Sequence, residues 1–232
     1  MPEPNNSGRS CESMNPSLTV EGRIEVVNSL LDTCLSHIGF YRYKRDADWR
    51  RERSSTIQDR ILILYGRKYA PEMVSCSPMA SVYSPLLVDE IKKRYGAKFA
   101  ANNFGARNIG LFTPSGTFLS WDCSVKNCPE VVATEVGDCF LKYCLPEMEK
   151  VKNLDDLAVF IEEGRQFADP HNQILSNVAP TCLLFLRGKN EECRCRLMKM
   201  LSLFDQISES GKWAAQYLPK REKIEKFIKS LP

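Results

Sequence analysis

The segment from Tyr41 to Arg53 carries the residue types best suited to binding chemistry in this chain of 232 residues. Aromatic rings stack on nucleic-acid bases and cations hold phosphates, so their close alternation is typical of a single-strand binding surface. The same composition serves an amphipathic hairpin whose outward charges keep a protein in solution, and three carboxylates offset part of its positive charge. The candidate binding surface consists of Tyr41, Arg42, Tyr43, Lys44, Trp49, Arg50, Arg51 and Arg53.

Proton transfer by an imidazole would have to use His37 or His171, because the chain has no other histidine. His37 comes just before the end of a predicted helix, where the helix dipole favours a cation, so we interpret it as structural. His171 stands at a predicted helix entry, and Asp169 beside it could orient the ring for acid or base work. A solvated loop uses the same residues, and we therefore assign no catalytic residue.

Four cysteines raise the question of a zinc site, and the predicted helix that contains the second pair argues against it. Structural zinc ligands usually come in pairs with two to four residues between them, and a shared metal also needs all four thiols on one side. Here the second pair falls in a predicted helix, where five steps point the two thiols in different directions. We expect no metal and no cofactor. The four residues are Cys123, Cys128, Cys139 and Cys144.

The ten cysteines suggest reduced thiols in a cytoplasmic protein. A free cysteine packs like a small hydrophobic residue, and we expect most of Cys34, Cys139, Cys144 and Cys182 to fill core positions. Cys193 is flanked by Arg194 and Arg196, and nearby cations favour a thiolate. It is therefore a candidate for a lowered thiol pKa, on what we interpret as a helix surface.

The sequence lacks the short motifs of the common enzyme classes. It contains no G-x-x-x-x-G-K-[ST], G-x-G-x-x-G, H-E-x-x-H or G-x-S-x-G pattern, which argues against standard nucleotide-binding, zinc-protease and serine-hydrolase sites. A net charge of +3 is also too small to indicate nucleic acid by itself. No stretch is long and apolar enough to predict a membrane span.

Hydrophobic periodicity predicts the elements of the first half of the chain. Apolar residues from Val20 to Ile38 recur at helical spacing, and Ile57 to Tyr65 has the β-branched residues of a buried strand. Two short apolar runs around a Pro-Ser-Gly turn predict a hairpin. The further predictions are a strand over Phe40–Lys44, a proline-rich loop over Ala70–Ser84, a helix over Pro85–Tyr95 and the hairpin over Asn108–Asp122.

After Pro129 every segment has helical spacing. Helices are predicted over Pro129–Leu145, Leu154–Glu163, Asn172–Arg187, Glu191–Ser208 and Pro219–Leu231. Strands followed by helices favour an α+β fold, with an N-terminal helix and a small antiparallel sheet before an all-helical C-terminal half. We expect residues 1–16 to be a disordered leader, 17–150 an α+β domain, and 151–232 a helical subdomain or extension packed on it.

Several short motifs, in this order, resemble those of an uncharacterised bacterial family of unknown function, whose relatives are sometimes grouped with toxin-immunity proteins. The resemblance spans most of Val20 to Leu231 and implies an α+β binding protein without known chemistry. It supplies no functional residues, and the proline-rich loop before Pro85 departs from the pattern. The motifs are His37-Ile38-Gly39-Phe40, Trp121, Leu145-Pro146-Glu147 and Leu186-Arg187-Gly188-Lys189.

These observations together predict a non-enzymatic cytoplasmic protein that interacts with another protein, of an immunity-like or antitoxin-like kind. A weakly basic chain suits a partner with an acidic or apolar surface, because complementary potentials speed association. Two alternatives stay open. One is nucleic-acid binding through residues 41–53, and the other is an enzyme of unfamiliar type that uses His171, Asp169 or Cys193.

Overall fold

The computed structural model describes residues 18–44, 47–70, 72–97, 105–163, 170–209 and 214–232. The predicted α+β class is confirmed. In chain order the elements are α1 (Val20–Ser36), β1 (Tyr41–Arg42), β2 (Asp48–Glu52), β3 (Gln58–Tyr69), β4 (Met73–Tyr83), α2 (Pro85–Tyr95), β5 (Arg107–Asn108), a 3-10 turn (Ile109–Phe112), β6 (Trp121–Asp122), α3 (Pro129–Cys139), a π-helical turn (Phe140–Cys144), α4 (Leu145–Glu149), α5 (Leu154–Glu163), α6 (Pro170–Leu186), α7 (Asn190–Glu209) and α8 (Ala214–Lys229).

The strands form one antiparallel six-stranded sheet in the order β1-β2-β3-β4-β5, with β6 also paired to β4. Burial alternates along β3. Ile61 and Ile63 are buried, whereas their neighbours Leu62 and Leu64 lie on the other face and are accessible. The sheet is therefore covered on one face, here called the inner face, and accessible on the other, the outer face.

Helix α1 covers part of the inner face and is held there by a polar stripe. Side chains at steps of three and four along a helix lie on one side, so a single stripe can meet successive strands. Thr19 caps the helix by accepting from the Gly22 amide at 3.1 Å. The pairs that the stripe makes are Glu21–Arg67, Glu25–Arg42, Asn28–Tyr65 and Asp32–Trp49.

The hairpin predicted over Asn108–Asp122 is wrong. Its two ends, β5 and β6, both pair with β4. The run after Asn108 forms a 3-10 turn, because the Asn108 side chain holds the connection together: its Oδ1 accepts from the Gly110 and Leu119 amides at 3.0 and 2.8 Å. A Cβ on Gly110 would lie 2.1 Å from the Thr117 carbonyl, so only glycine allows this approach.

The loop predicted over Ala70–Ser84 is also wrong, because Met73–Tyr83 is strand β4. Pro78 is tolerated there by the direction of its backbone. The carbonyl oxygens of Val74 and Pro78 accept from Cys123 N and Asn108 Nδ2, so this set of backbone groups points away from β3. A proline at such a position removes no bond from the β3–β4 ladder.

The helices predicted after Pro129 are confirmed, with shifted bounds for most of them. The predicted helix over Pro129–Leu145 continues through the π-helical turn into α4. Of the cysteines expected in the core, Cys144 and Cys182 are fully buried, while Cys34 and Cys139 are half-buried.

One cluster of buried apolar side chains includes residues on both sides of position 151, among them Val27, Trp49, Leu183 and Phe227. The division of the chain at 151 stays a prediction, and residues 1–16 lie outside the described part. Among the described helices, none combines the length and apolar composition that a membrane span requires.

Candidate functional site

Successive side chains of β1 and β2 point to opposite faces of the sheet, so the candidate binding surface is divided between the two faces. Arg42 and Trp49 are paired across β1 and β2 and lie on the inner side. The Trp49 ring is fully buried, and its Nε1 donates to Asp32 Oδ1 at 3.0 Å. Arg42 donates to both carboxylate oxygens of Glu25, at 2.9 and 3.0 Å. Both side chains therefore attach α1 to the sheet.

Two further members of the candidate surface surround a buried carboxylate. Arg51 donates to Asp59 Oδ2 from Nη2 at 2.7 Å and from Nε at 2.9 Å, and Arg53 Nη2 lies 2.9 Å from Asp59 Oδ1. Burial raises the pKa of Asp59, and the two guanidinium groups oppose that shift. Arg51 also reaches Glu149 Oε1 at 3.2 Å, so this cluster joins the sheet to α4.

The rest of the segment lies on the outer face, where other strands extend it. Tyr41 is paired with Arg50, Arg50 with Arg60, and Gln58 with Tyr83, so the strand register places Tyr41, Arg50 and Arg60 in one row. The Arg50 guanidinium lies 3.5 Å from the centre of the Tyr43 ring. We call Tyr41, Tyr43, Asp48, Arg50, Arg60 and Tyr83 the outer patch.

Asp48 neutralises part of the positive charge of the outer patch. Its buried carboxylate accepts from Arg60 Nε at 2.9 Å and from Arg60 and Arg50 Nη2, each at 3.0 Å. Two cations thus share one anion, and their guanidinium planes are fixed in place. Burial raises the pKa of Tyr83 against the opposing effect of Arg50, whereas a hydrogen bond with Lys44 lowers the pKa of Tyr43.

Apolar side chains continue the outer patch along the same face. Leu62 and Met79 are paired across β3 and β4, and Leu64 is the next residue of β3 on that face. Leu64 is 51% exposed and Tyr41 is 47% exposed, although both belong to strands of the sheet. The outer face therefore presents arginine, tyrosine and aliphatic side chains together.

Sequence reasoning missed Arg60, Tyr83, Leu62 and Leu64 as members of this surface. They lie on strands that are distant in sequence from β1. The signal that could have found Arg60 is the period of two in β3, which separates Arg60, Leu62 and Leu64 from the buried Ile61 and Ile63.

Of the residues suited to enzyme chemistry, His37 and Cys193 are described, and they belong to different helices, α1 with its C-cap and α7. His37 Nδ1 lies 2.7 Å from the Thr33 carbonyl at the end of α1, a local helix contact. Asp169 and the His171 side chain lie outside the described residues. The expectation of a lowered pKa at Cys193 is wrong, because the thiol is fully buried and this burial raises its pKa to about 11.

A groove of about 790 Å³ lies between α6 and α7. Asn177 and Leu184 line one side, and the exposed Cys195 lies on the other with Arg196 and Lys199. Arg196 is paired with Glu162 of α5. The lining mixes both charges with aliphatic groups and selects no ligand class.

In the described ranges, no group of three or more histidine, cysteine or acidic side chains could hold a metal ion. The comparisons with known proteins find no matching family model, no matching curated protein and no matching solved structure.

Proposed function

We propose that this chain is a non-enzymatic protein-interaction protein, of an immunity-like or antitoxin-like kind, that binds another protein through the outer face. One observation carries the proposal. Leu64 and Tyr41 remain about half exposed within sheet strands, beside the ordered arginines of the outer patch. A complex is stabilised when a partner removes apolar side chains at such positions from water.

The composition of the outer face suits a protein partner. Tyrosine and arginine are enriched at the centres of protein interfaces, where a few of them supply most of the binding energy. Arg50 and Arg60 are already held by Asp48, so binding would cost little side-chain entropy. These features favour a partner surface that is apolar at its centre and acidic where it meets the arginines.

The same contacts weigh against nucleic acid as the main ligand. Affinity for phosphates comes from cations that displace counterions. Arg42, Arg51 and Arg53 are bound to carboxylates at the sheet–helix junction, and Arg50 shares Asp48 with Arg60. What favours the nucleic-acid alternative is the Tyr43 ring stacked on Arg50 beside the exposed Tyr41. We keep it as the second candidate function.

The experiment compares two substitutions that each place a charge at an exposed apolar site. Leu64→Glu lies on the outer face, and Val159→Glu lies on α5, where Val159 is 58% exposed. The protein encoded by a neighbouring open reading frame is purified, and its affinity for wild type and both variants is measured by calorimetry. We expect Leu64→Glu to weaken binding by about tenfold or more, and Val159→Glu to leave it unchanged.

Equal binding by all three proteins would place the interface elsewhere, and no binding by wild type would remove this partner. The nucleic-acid candidate is tested separately by titrating single-stranded oligonucleotides at low and high salt. Binding that falls steeply with salt and is lost in Tyr43→Ala would replace the protein-interaction proposal. No binding at low salt would dismiss that candidate.

A further inference from the structure

Two buried thiols meet where β6 joins β4. Trp121 of β6 is paired with Cys76, and the Cys123 amide donates to the Val74 carbonyl at 2.7 Å. Because strand residues alternate between faces, Cys76 and Cys123 point to the same inner face from adjacent strands. Both thiols are free and fully buried, and they lie close enough to shift each other's pKa.

The surroundings of the pair make the two sulfur atoms unequal. Arg23 is buried, and its Nε donates to the Cys123 carbonyl at 3.1 Å while Nη2 donates to the Ser124 carbonyl at 2.7 Å. The hydrogen bond from Cys76, together with the Arg23 charge, lowers the pKa of Cys123. The same hydrogen bond and burial raise the pKa of Cys76. Cys123 is therefore the better nucleophile of the two.

We infer that Cys76 and Cys123 form a redox-active dithiol whose oxidising co-reactant is a hydroperoxide, and that oxidation joins β6 to β4 by a disulfide. Redox-sensor cysteines often lie beside a second thiol that resolves the sulfenic acid into a disulfide.

The chemistry takes place in two steps. The Cys123 thiolate attacks one oxygen of the peroxide, the O–O bond breaks, and Cys123 becomes a sulfenic acid while the other oxygen leaves and takes up the proton that Cys123 had lost. Cys76 Sγ then attacks the Cys123 sulfur, the S–O bond breaks, and water leaves with the Cys76 proton. Two electrons pass from the thiols to the peroxide, and with hydrogen peroxide both oxygens end as water.

Access to the pair depends on β6, the strand that ends just before Cys123. β6 has two residues, Trp121 and Asp122, both half-buried. Local opening of this two-residue strand would uncover Cys123. Once formed, the disulfide would bond β6 covalently to β4 and prevent that opening. It would also stabilise the fold, because it closes the long chain segment between the two cysteines in the unfolded state.

The test uses the full chain, reduced and then treated with hydrogen peroxide, followed by alkylation and peptide mapping without reductant. We expect a cross-linked peptide that joins Cys76 to Cys123 and has lost two hydrogen atoms. The melting temperature should rise by about 5 °C or more and return after treatment with dithiothreitol. Cys195→Ser is the matched control, since it removes an exposed thiol and should leave both results unchanged.

The roles of the two thiols are tested with Cys76→Ala and Cys123→Ala. With Cys76→Ala, a dimedone probe should trap a sulfenic acid at Cys123, whereas Cys123→Ala should give no trapped product at Cys76. If peroxide-treated wild type retains both thiols for alkylation after denaturation while Cys195 is oxidised, the inference is overturned. A cross-link of Cys76 or Cys123 to any other cysteine overturns it too, and wild type alone decides this even where an alanine variant does not fold.

Discussion

Arg60 binds both carboxylate oxygens of Asp48, with Nε 2.9 Å from Oδ1 and Nη2 3.0 Å from Oδ2. The two residues lie on adjacent strands and are separated by a register step, since Asp48 is paired with Leu62 and Arg60 with Arg50. Asp48 also accepts from Arg50. A single buried carboxylate thus orders both arginines of the outer patch.

We expect Asp48→Asn to lower the free energy of unfolding by about 2 kcal/mol, because it leaves two partly buried guanidinium groups without their shared anion. Chemical denaturation measures this loss. The matched control is Asp89→Asn, which removes the exposed Asp89–Lys92 pair and should change stability by less than about 0.5 kcal/mol. Equal effects of the two substitutions would show that Asp48 does not organise the patch.

Adjacent residues of β3 should respond in opposite ways to truncation. Ile63 is buried on the inner face, so Ile63→Ala should cost about 3 kcal/mol of unfolding free energy. Leu64 lies on the outer face, and Leu64→Ala should cost less than about 1 kcal/mol. Urea denaturation of the two variants measures the difference. Similar losses at both positions would contradict the assignment of an accessible outer face.

The ion pair between Glu25 and Arg42 should contribute to stability in a pH-dependent way. The hydrogen bond from Arg42 lowers the pKa of Glu25 below its usual value of 4.5. An acid with a lower pKa in the folded state adds stability above its unfolded pKa, and this stability is lost as pH falls through the folded pKa. Because Glu25 is largely exposed, the contribution should stay below about 1 kcal/mol.

Unfolding measured between about pH 2.5 and 6.5 checks this expectation. Glu25→Gln should lose less stability on acidification than wild type does. Glu222→Gln, at an exposed position of α8, is the control and should follow the wild-type curve. Parallel curves for all three proteins would mean that the Glu25–Arg42 contact adds no pH-dependent stability.

Two cysteines separated by one residue in α7 should differ in reactivity. Cys193 is buried with a pKa of about 11, whereas Cys195 is exposed. Alkylation of the native protein near pH 8, followed by peptide mass spectrometry, should modify Cys195 at least about tenfold faster than Cys193. Faster labelling of Cys193 would restore it as a candidate nucleophile.

The sequence by itself determined the elements whose signals are local. Apolar spacing located α1 and the helices after Pro129, and the β-branched run located β3. Proline at the first position and glycine after the last bounded α2 correctly. These features depend on residues within a turn or two of each other, so the chain order contains the information.

Tertiary structure decided what depends on pairing between distant segments. A strand accepts a proline such as Pro78 only where the proline backbone points away from the neighbouring strand, and the sequence does not show that direction. The two apolar runs around Gly116 do not pair with each other, because Asn108 and β4 bind both ends of that connection. Within the candidate surface, strand alternation turns the Trp49 side chain inward, and the strand register brings Arg60 beside Arg50. The residue types in a segment indicate which side chains could belong to such a surface. Which of them share a face depends on the register between strands that are distant in sequence.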